Sequence, residues 1–267
     1  MKITENRYKL YQGDCLEVMK NIEDKSIDCI ICDLPYGVTS KNKWDTIIPY
    51  EPLWKEYKRI IKDNGPIILF GQDKFTAKTM LSNEKMHRYN LIWNKVLTSG
   101  FLNAGRMPLR EHEDIMIFYK KIPTYNPQFT EGKPLHGMGE KFKKVKNNNN
   151  NYNDFNSCNN PSANREGDTK KYPKSILTFP RPASSKMLHP TEKPVELLEY
   201  LIKTYSNEND VILDNCMGSG STGVAALNTN RKFIGIELDK KYFNIAKQRI
   251  EEAENNKISF KLGEAYE

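Results

Sequence analysis

The feature that most constrains the fold is a largely apolar run, Ile27–Cys32, that leads directly into Asp33, Leu34, Pro35 and Tyr36. Such a run predicts a buried parallel strand. Because open α/β sheets bind ligands at the carboxyl ends of their strands, the residues that follow are expected at a ligand site. They suit a planar heterocycle that stacks on Tyr36 and whose exocyclic amino group donates to the Asp33 carboxylate and the Leu34 carbonyl. The sequence therefore indicates chemistry on a nucleobase.

A second strand tip indicates where a reagent could bind. Asp214–Gly223 follows the apolar strand Val211–Leu213, opens a predicted helix, and contains Gly-x-Gly-x-x-Gly. Gly218 and Gly220 allow a tight turn and close approach of a ligand to the backbone. Glu237 ends the next predicted strand, where an acid can accept both hydroxyls of a ribose.

Three ligands compete for this turn. A phosphate loop is disfavoured because no Lys follows the glycines. NAD(P) fits the glycines, but nothing nearby indicates hydride chemistry. S-adenosylmethionine suits Asp214, because a carboxylate can pair with its ammonium or sulfonium and would be unfavourable beside a pyrophosphate. A glycine turn that binds no ligand is the remaining alternative.

Predicted strands and helices alternate on both sides of residues 121–186, a segment expected to be partly irregular and partly mobile. Its low-complexity tract, Asn147–Asn160, cannot build a core. The alternation predicts one doubly wound α/β domain that spans the insertion. Its halves would be residues 1–120, which carry the Asp33 tip, and 187–267, which carry the glycine turn. Tyr89–Trp93 and Asp114–Tyr119 are predicted to pair as an antiparallel edge.

The positive charge is concentrated in one segment. The chain has a net charge of +7, and residues 120–188 carry 13 Lys and Arg against 5 Asp and Glu. This excess predicts a local surface that binds a polyanion, with a solvated basic loop as the alternative.

Cysteine usage and hydropathy indicate a cytoplasmic protein. The five cysteines are an odd number, no secretory leader is recognisable, and no apolar run approaches the roughly 20 residues of a membrane span. Free buried thiols are therefore expected. Cys29 and Cys32 would point to opposite faces of a strand, and no second cysteine pair accompanies them, so no metal site is expected.

Taken together, these motifs resemble the β-class of S-adenosylmethionine-dependent DNA amino-methyltransferases, the adenine-N6 and cytosine-N4 family. The matching stretches are Asp33–Tyr36, His189–Pro194 and Asp214–Gly220, in the order catalytic motif, insertion, cofactor motif. Gly13-Asp14-Cys15 resembles the element that this family places beside the cofactor adenine. The resemblance implies a mostly parallel, seven-stranded, Rossmann-like methyltransferase sheet of permuted order, with 121–186 as an inserted target-recognition region.

The resemblance also implies roles for individual residues. Asp33, Leu34, Pro35 and Tyr36 would be catalytic. The residues expected at the cofactor are Asp14, Cys15, His189, Thr191, Lys193, Asp214, Gly218, Gly220 and Glu237, with Lys193 pairing with its carboxylate. The residues expected on DNA are Lys41, Lys43, Lys141, Lys143, Lys144, Lys146, Lys170 and Lys171. Double-stranded DNA would be the substrate, a homodimer and a cognate restriction enzyme remain open as partners, and no membrane association is expected.

Two features qualify the resemblance. The family usually has Pro where this chain has Leu34, which changes the stiffness of the backbone and leaves the carbonyl in place. Asp33 favours adenine N6 as the target, because Ser is commoner at this position in cytosine-N4 enzymes. Cytosine N4, RNA or protein methylation, and a catalytically weak DNA-binding protein of the same fold are the alternatives. His112-Glu113 precedes the edge strand and is interpreted as structural.

Overall fold

The computed structural model describes residues 7–37, 46–134, 167–181 and 192–264, with side chains up to residue 257. Within these residues the chain divides into a main unit and a compact unit of residues 127–174. The smaller unit lies inside the predicted insertion of 121–186. Residues 121–126 and 175–181 belong to the main unit.

The main unit is built on an eight-stranded sheet. Its strands are β1 (Tyr8–Gln12), β2 (Cys29–Cys32), β3 (Ile67–Gly71), β4 (His87–Ser99), β5 (Arg110–Phe118), β8 (Ile176–Thr178), β9 (Val211–Asp214) and β10 (Lys232–Glu237), in the order β1-β10-β9-β2-β3-β5-β4-β8. Only β5 runs antiparallel to its neighbours. The predicted mostly parallel, doubly wound α/β fold is confirmed.

Helices cover both faces of this sheet. They are α1 (Cys15–Met19), α2 (Tyr50–Ile60), α3 (Asp73–Ser82), α4 (Val195–Tyr205), α5 (Ser221–Asn228) and α6 (Lys240–Glu264). The first three pack in one core cluster and the last three in the other. Cys29 and Cys32 belong to different clusters, as the alternation of side chains along a strand requires. None of the helices in the described ranges is long and apolar enough to span a bilayer.

The edge of the sheet differs from the prediction. β4 and β5 do pair antiparallel, but β4 is not the edge strand, because β8 pairs with it in parallel from within the segment expected to be irregular. The Ile92 N–H donates to the Ser175 carbonyl at 2.8 Å, and the Trp93 indole donates to the Phe179 carbonyl at 2.8 Å. Covering β4 in this way satisfies backbone groups that an edge would leave unpaired. The described sheet thus has eight strands instead of the expected seven.

The last helix is also longer than predicted. The sequence predicted a helix from Lys241 to Glu254, whereas α6 runs from Lys240 to Glu264. The extension is compatible with the sequence, since no Gly or Pro lies between 255 and 262.

The smaller unit contains a two-stranded sheet. β6 (Thr130–Glu131) and β7 (Lys170–Lys171) pair antiparallel. The ring centroids of Phe129 and Tyr172 lie 4.9 Å apart beside this pair of strands.

Candidate active site

A cavity of about 410 Å³ lies at the carboxyl edge of the sheet. Four strand ends contribute an acid to its lining, namely Asp14 after β1, Asp33 after β2, Asp214 at the end of β9 and Glu237 at the end of β10. These strands are neighbours and run parallel, so their ends converge. The cavity lies where the connections leave the sheet in opposite directions, which is where doubly wound folds bind ligands.

The tip after β2 lies in the cavity wall as predicted. The residues Asp33, Leu34, Pro35 and Tyr36 all line the cavity, and the Leu34 side chain is buried in the core. The Tyr36 hydroxyl donates to Oδ1 of Asp33 at 2.7 Å. One side of the Tyr36 ring is covered by Phe75, with the ring centroids 4.5 Å apart. A base that stacks on Tyr36 would therefore use the opposite face.

The ammonium of Lys193 contacts Asp33 in this tip. Its Nζ lies 2.5 Å from Oδ2 of Asp33 and 3.4 Å from Oε2 of Glu113. The ammonium also lies 5.1 Å from the centroid of the Phe70 ring and 5.9 Å from that of Trp93. The sequence predicted that Lys193 pairs with the cofactor carboxylate. In the structure its ammonium pairs with Asp33 and Glu113, and because Lys193 also lines the cavity, its pairing with a cofactor stays a prediction.

Glu113, for which the sequence predicted a structural role, contacts the site through Lys193. It lies on β5 and carries a second ion pair, with the Lys95 Nζ 3.2 Å from its Oε1. The side chain of Glu113 is 15% exposed and that of Lys95 only 4%. The available signal was an acid placed two positions before the apolar core of a strand, Ile115–Phe118. That pattern does not reveal its partners, which come from distant elements.

Burial and charge act in opposite directions on this network. Burial raises the pKa of Asp33, although Lys193 opposes the shift. For Lys193, burial lowers the pKa, but Asp33 and Glu113 outweigh it and the pKa rises. For Glu113, burial raises the pKa, but Lys193 and Lys95 outweigh it and the pKa falls. Asp33, Lys193, Glu113 and Lys95 thus form a chain of alternating charges.

The glycine turn after β9 has the predicted strand–turn–helix context. Both glycines adopt positive φ, +52° at Gly218 and +84° at Gly220. Among the described residues, Gly218 and Ser219 line the cavity but Gly220 does not. A Cβ on Gly220 would lie 2.9 Å from Cβ of Ala246 on α6. The structure therefore gives Gly220 a role in the turn and in helix packing, and the close ligand approach expected for it stays a prediction.

Asp214 and Glu237 are both anchored by hydrogen-bond donors of the protein. Asp214 accepts from Thr222 Oγ1 at 2.6 Å and from the Cys216 N–H at 3.1 Å, and burial raises its pKa to about 6. Glu237 accepts from the N–H groups of Gly218 and Asp239, at 2.9 and 2.8 Å, and burial raises its pKa. A carboxylate has about four acceptor sites, so both can still bind a ligand.

Asp14 and Cys15 lie at the start of α1. Oδ1 of Asp14 accepts the Leu16 N–H at 2.8 Å and caps the helix. Cys15 is buried, and both residues line the cavity.

The acceptor groups that line the cavity fit S-adenosylmethionine. The four carboxylates at the strand ends suit a ligand that carries an ammonium, a sulfonium and a ribose, and they would repel a pyrophosphate. The volume of about 410 Å³ lies within the usual range for small-molecule sites.

Several predicted site residues lie outside the described residues. They are Lys41, Lys43, Lys141, Lys143, Lys144, Lys146, His189 and Thr191. Lys170 and Lys171 are described and form β7 of the smaller unit, where the Lys170 N–H donates to Asp168 at 2.7 Å.

Comparisons with known proteins agree with this geometry. A family model described as DNA methylase, of the N6/N4 type, matches residues 27–248. The type II methyltransferase M.HinfI of Haemophilus influenzae is 28% identical, over 95% of this chain and 71% of that protein. M1.MboII of Moraxella bovis is 24% identical, over 93% of this chain and 98% of that protein.

Solved structures give the same result for the fold. A crystal structure of an M1.HpyAVI–SAM complex superposes with a TM-score of 0.61 at 25% identity, covering 91% of this chain and 98% of that one. The cytosine-N4-specific PvuII DNA methyltransferase superposes with a TM-score of 0.63, over 94% of this chain and 92% of that one. At 15% identity the latter similarity concerns the fold alone.

Proposed function

The chain belongs to the N6/N4 DNA methylase family and is thus an S-adenosylmethionine-dependent DNA methyltransferase, and we propose that it methylates adenine N6 at a specific DNA site. The observation that carries this proposal is the Asp33 carboxylate, which lines the same cavity as the glycine turn after β9. Asp at this position favours adenine, since Ser is commoner there in cytosine-N4 enzymes of the family.

The tip after β2 would hold the target base. The amino group of the base would donate one hydrogen bond to Asp33 and one to the Leu34 carbonyl. These two bonds favour a pyramidal nitrogen whose lone pair faces the methyl donor. To reach the cavity the base must leave the duplex stack. Stacking on the face of Tyr36 opposite Phe75 would offset part of that cost, by about 1–3 kcal/mol.

The other strand ends would hold the cofactor. Bound S-adenosylmethionine supplies a methyl group on a positively charged sulfur. Glu237 would accept the ribose hydroxyls, Asp14 the adenine amino group, and Asp214 would face the cationic end. These roles use acceptor sites that the internal hydrogen bonds of the three carboxylates leave available.

Asp33 would also accept the proton that the amino nitrogen loses. As the amino nitrogen gains a methyl group it becomes cationic and must lose a proton. A buried carboxylate with a raised pKa stabilises that positive charge and is a better proton acceptor than an exposed Asp. Asp33 would thus bind the amino group and receive its proton.

The smaller unit and the basic segment around it would bind DNA. Lys170 and Lys171 would contact phosphates, together with the predicted lysines outside the described residues. Such contacts give salt-dependent affinity without reading sequence.

Identifying the methylated nucleoside tests the proposed base. The protein is incubated with labelled S-adenosylmethionine and unmethylated DNA, and the products are digested and separated. N6-methyladenine is expected. N4-methylcytosine would favour the alternative target, which the same amino-binding geometry also accommodates. Salt-sensitive DNA binding with no label would favour the catalytically weak binding protein.

A matched pair of variants tests the site. Asp33→Ala is expected to abolish transfer while binding of S-adenosylmethionine is kept, because Asp33 belongs to the base side of the cavity. Asp63→Ala removes an exposed acid elsewhere and is expected to retain turnover. Turnover by Asp33→Ala would remove this residue from the mechanism.

The homodimer and the cognate restriction enzyme are further proposals from the family resemblance. Sedimentation of the protein alone and with DNA tests the first. The second predicts an endonuclease whose cleavage is blocked at the methylated site.

A further inference from the structure

Four charged side chains of alternating sign form a chain from the tip after β2 to strand β4. Asp33 follows β2, Lys193 precedes α4, Glu113 lies on β5 and Lys95 on β4. Successive charged atoms lie 2.5, 3.4 and 3.2 Å apart. Because Asp33 is one end of this network, a ligand that binds Asp33 must affect the other three side chains.

In the structure Asp33 is already engaged by the protein. Its Oδ1 accepts from the Tyr36 hydroxyl and its Oδ2 from the Lys193 ammonium. An ammonium donates to a carboxylate as the amino group of a base would. Asp33 keeps further acceptor sites, so Lys193 competes with the base for Oδ2 and for the negative charge of the carboxylate.

The competition becomes stronger as the methyl group is transferred. Positive charge then develops on the amino nitrogen, and a second cation held on the same carboxylate opposes it. Lys193 has little access to water, since its side chain is only 7% exposed. A cation confined in this way needs another carboxylate before it can leave Asp33.

Glu113 is placed to provide that carboxylate. Its buried Oε2 has no hydrogen-bond partner among the described residues and lies 3.4 Å from Lys193 Nζ, slightly beyond hydrogen-bond length. A small movement of the ammonium would make that hydrogen bond and release Oδ2 of Asp33. Lys95, on the other oxygen of Glu113, helps to keep Glu113 ionised.

We propose that Glu113 is a positioning residue that acts through Lys193, drawing the ammonium off Asp33 when the target amino group arrives. Because Asp33 accepts the base only under the proposed function, this role rests on that function. Glu113 itself need not touch the base or the cofactor.

A double-mutant cycle on the purified protein tests the coupling. Glu113→Gln keeps the shape of the side chain but removes the charge that attracts the ammonium. We expect kcat for methylation to fall about tenfold or more, with S-adenosylmethionine affinity changed by less than about twofold. In a Lys193→Met background, where the competing cation is absent, Glu113→Gln should cause no further loss. If the fold-loss in kcat of the double variant equals the product of the two single-variant losses, the proposal is overturned.

Two further variants separate positioning from neutralisation of buried Lys95. Lys95→Gln/Glu113→Gln leaves no unpaired lysine on β4, so it should fold and still show the loss in kcat. Full activity of this variant would mean that Glu113 only balances Lys95, which overturns the proposal. Glu113→Asp restores the charge on a shorter side chain and should recover part of kcat.

The outcomes also separate this inference from the proposed function. Glu254→Gln, which breaks the ion pair with Arg7 outside the cavity, should leave kcat unchanged. If Asp33→Ala is inactive while Glu113→Gln keeps wild-type kcat, the positioning role fails and the proposed function stands. If Asp33→Ala remains active, the proposed function fails and this role fails with it.

Discussion

Replacing Asp214 by Asn should remove a pH-dependent loss of stability between about pH 4 and pH 6. Asp214 is 4% exposed, and burial raises the pKa of its carboxyl from 3.8 to about 6, although Thr222 and the Cys216 N–H donate to it. Because the folded pKa exceeds the unfolded one, the stabilising contribution is complete below about pH 4 and is lost as the pH rises through about 6. Since one pKa unit corresponds to about 1.4 kcal/mol, the loss is about 3 kcal/mol.

Urea unfolding without cofactor, at several pH values from 4 to 7, measures this contribution. The difference in unfolding free energy between Asp214→Asn and wild type should shift by about 3 kcal/mol in favour of the variant as the pH rises. Asp63→Asn serves as a control, because hydrogen bonds from Lys121 and Lys25 lower the pKa of this exposed carboxyl to about 2, below the window. A wild-type–variant difference that stays constant from pH 4 to pH 7 would mean that the Asp214 carboxyl does not lose its proton in this window.

The same carboxylate should link pH to cofactor binding. A cationic ligand favours the ionised form of Asp214, so the affinity of the wild-type protein for S-adenosylmethionine should rise between about pH 5 and pH 7. Asp214→Asn should bind more weakly at pH 7 and show less of this rise. A variant that is more stable and binds less well would identify Asp214 as a buried charge retained for binding at a cost in stability.

Three further predictions concern other parts of the site. Gly220→Ala should destabilise the protein by roughly 2–4 kcal/mol in thermal unfolding, because it strains a positive φ and drives a methyl group against Ala246; an unchanged unfolding temperature would contradict this packing. Tyr36→Phe should lower single-turnover methylation while keeping the ring on Phe75, because only the hydroxyl that donates to Asp33 is lost; Tyr36→Ala should lose more. Replacing Lys170 and Lys171 by Gln should reduce the slope of log affinity for DNA against log salt by up to about 1.8, and a slope equal to wild type would remove both from the interface.

Features that depend on neighbours in the sequence were predictable. The non-alternating apolar runs at Ile27–Cys32 and Val211–Leu213 correspond to the parallel strands β2 and β9, whose two faces are covered by helices. The turn at Gly218 and the acids at strand ends follow from the same local patterns. They were sufficient to indicate one cavity with Asp33, Asp214 and Glu237 in its wall, and the structure places all three there.

Features that depend on distant pairing were not predictable. The strand at Ile176–Thr178 is only three residues long and lies in a segment with many turn-forming residues, so its sequence carries little signal. It becomes a strand because β4 offers an unpaired edge. Gly220 matched a ligand-binding pattern, but its environment is set by Ala246 on α6.

By itself, the sequence determined which residue types stand at the ends of the buried strands, and hence the kind of chemistry that the cavity can support. Local patterns suffice for this, because strand, turn and helix form from neighbouring residues. Beyond the nearby Tyr36 hydroxyl, the charged partners of Asp33 depend on the tertiary structure. Lys193 is 160 positions away from it, and Glu113 reaches the same ammonium from another strand. Such a network forms only when separate elements bury their charges together, since a buried ion needs a partner wherever in the chain that partner lies.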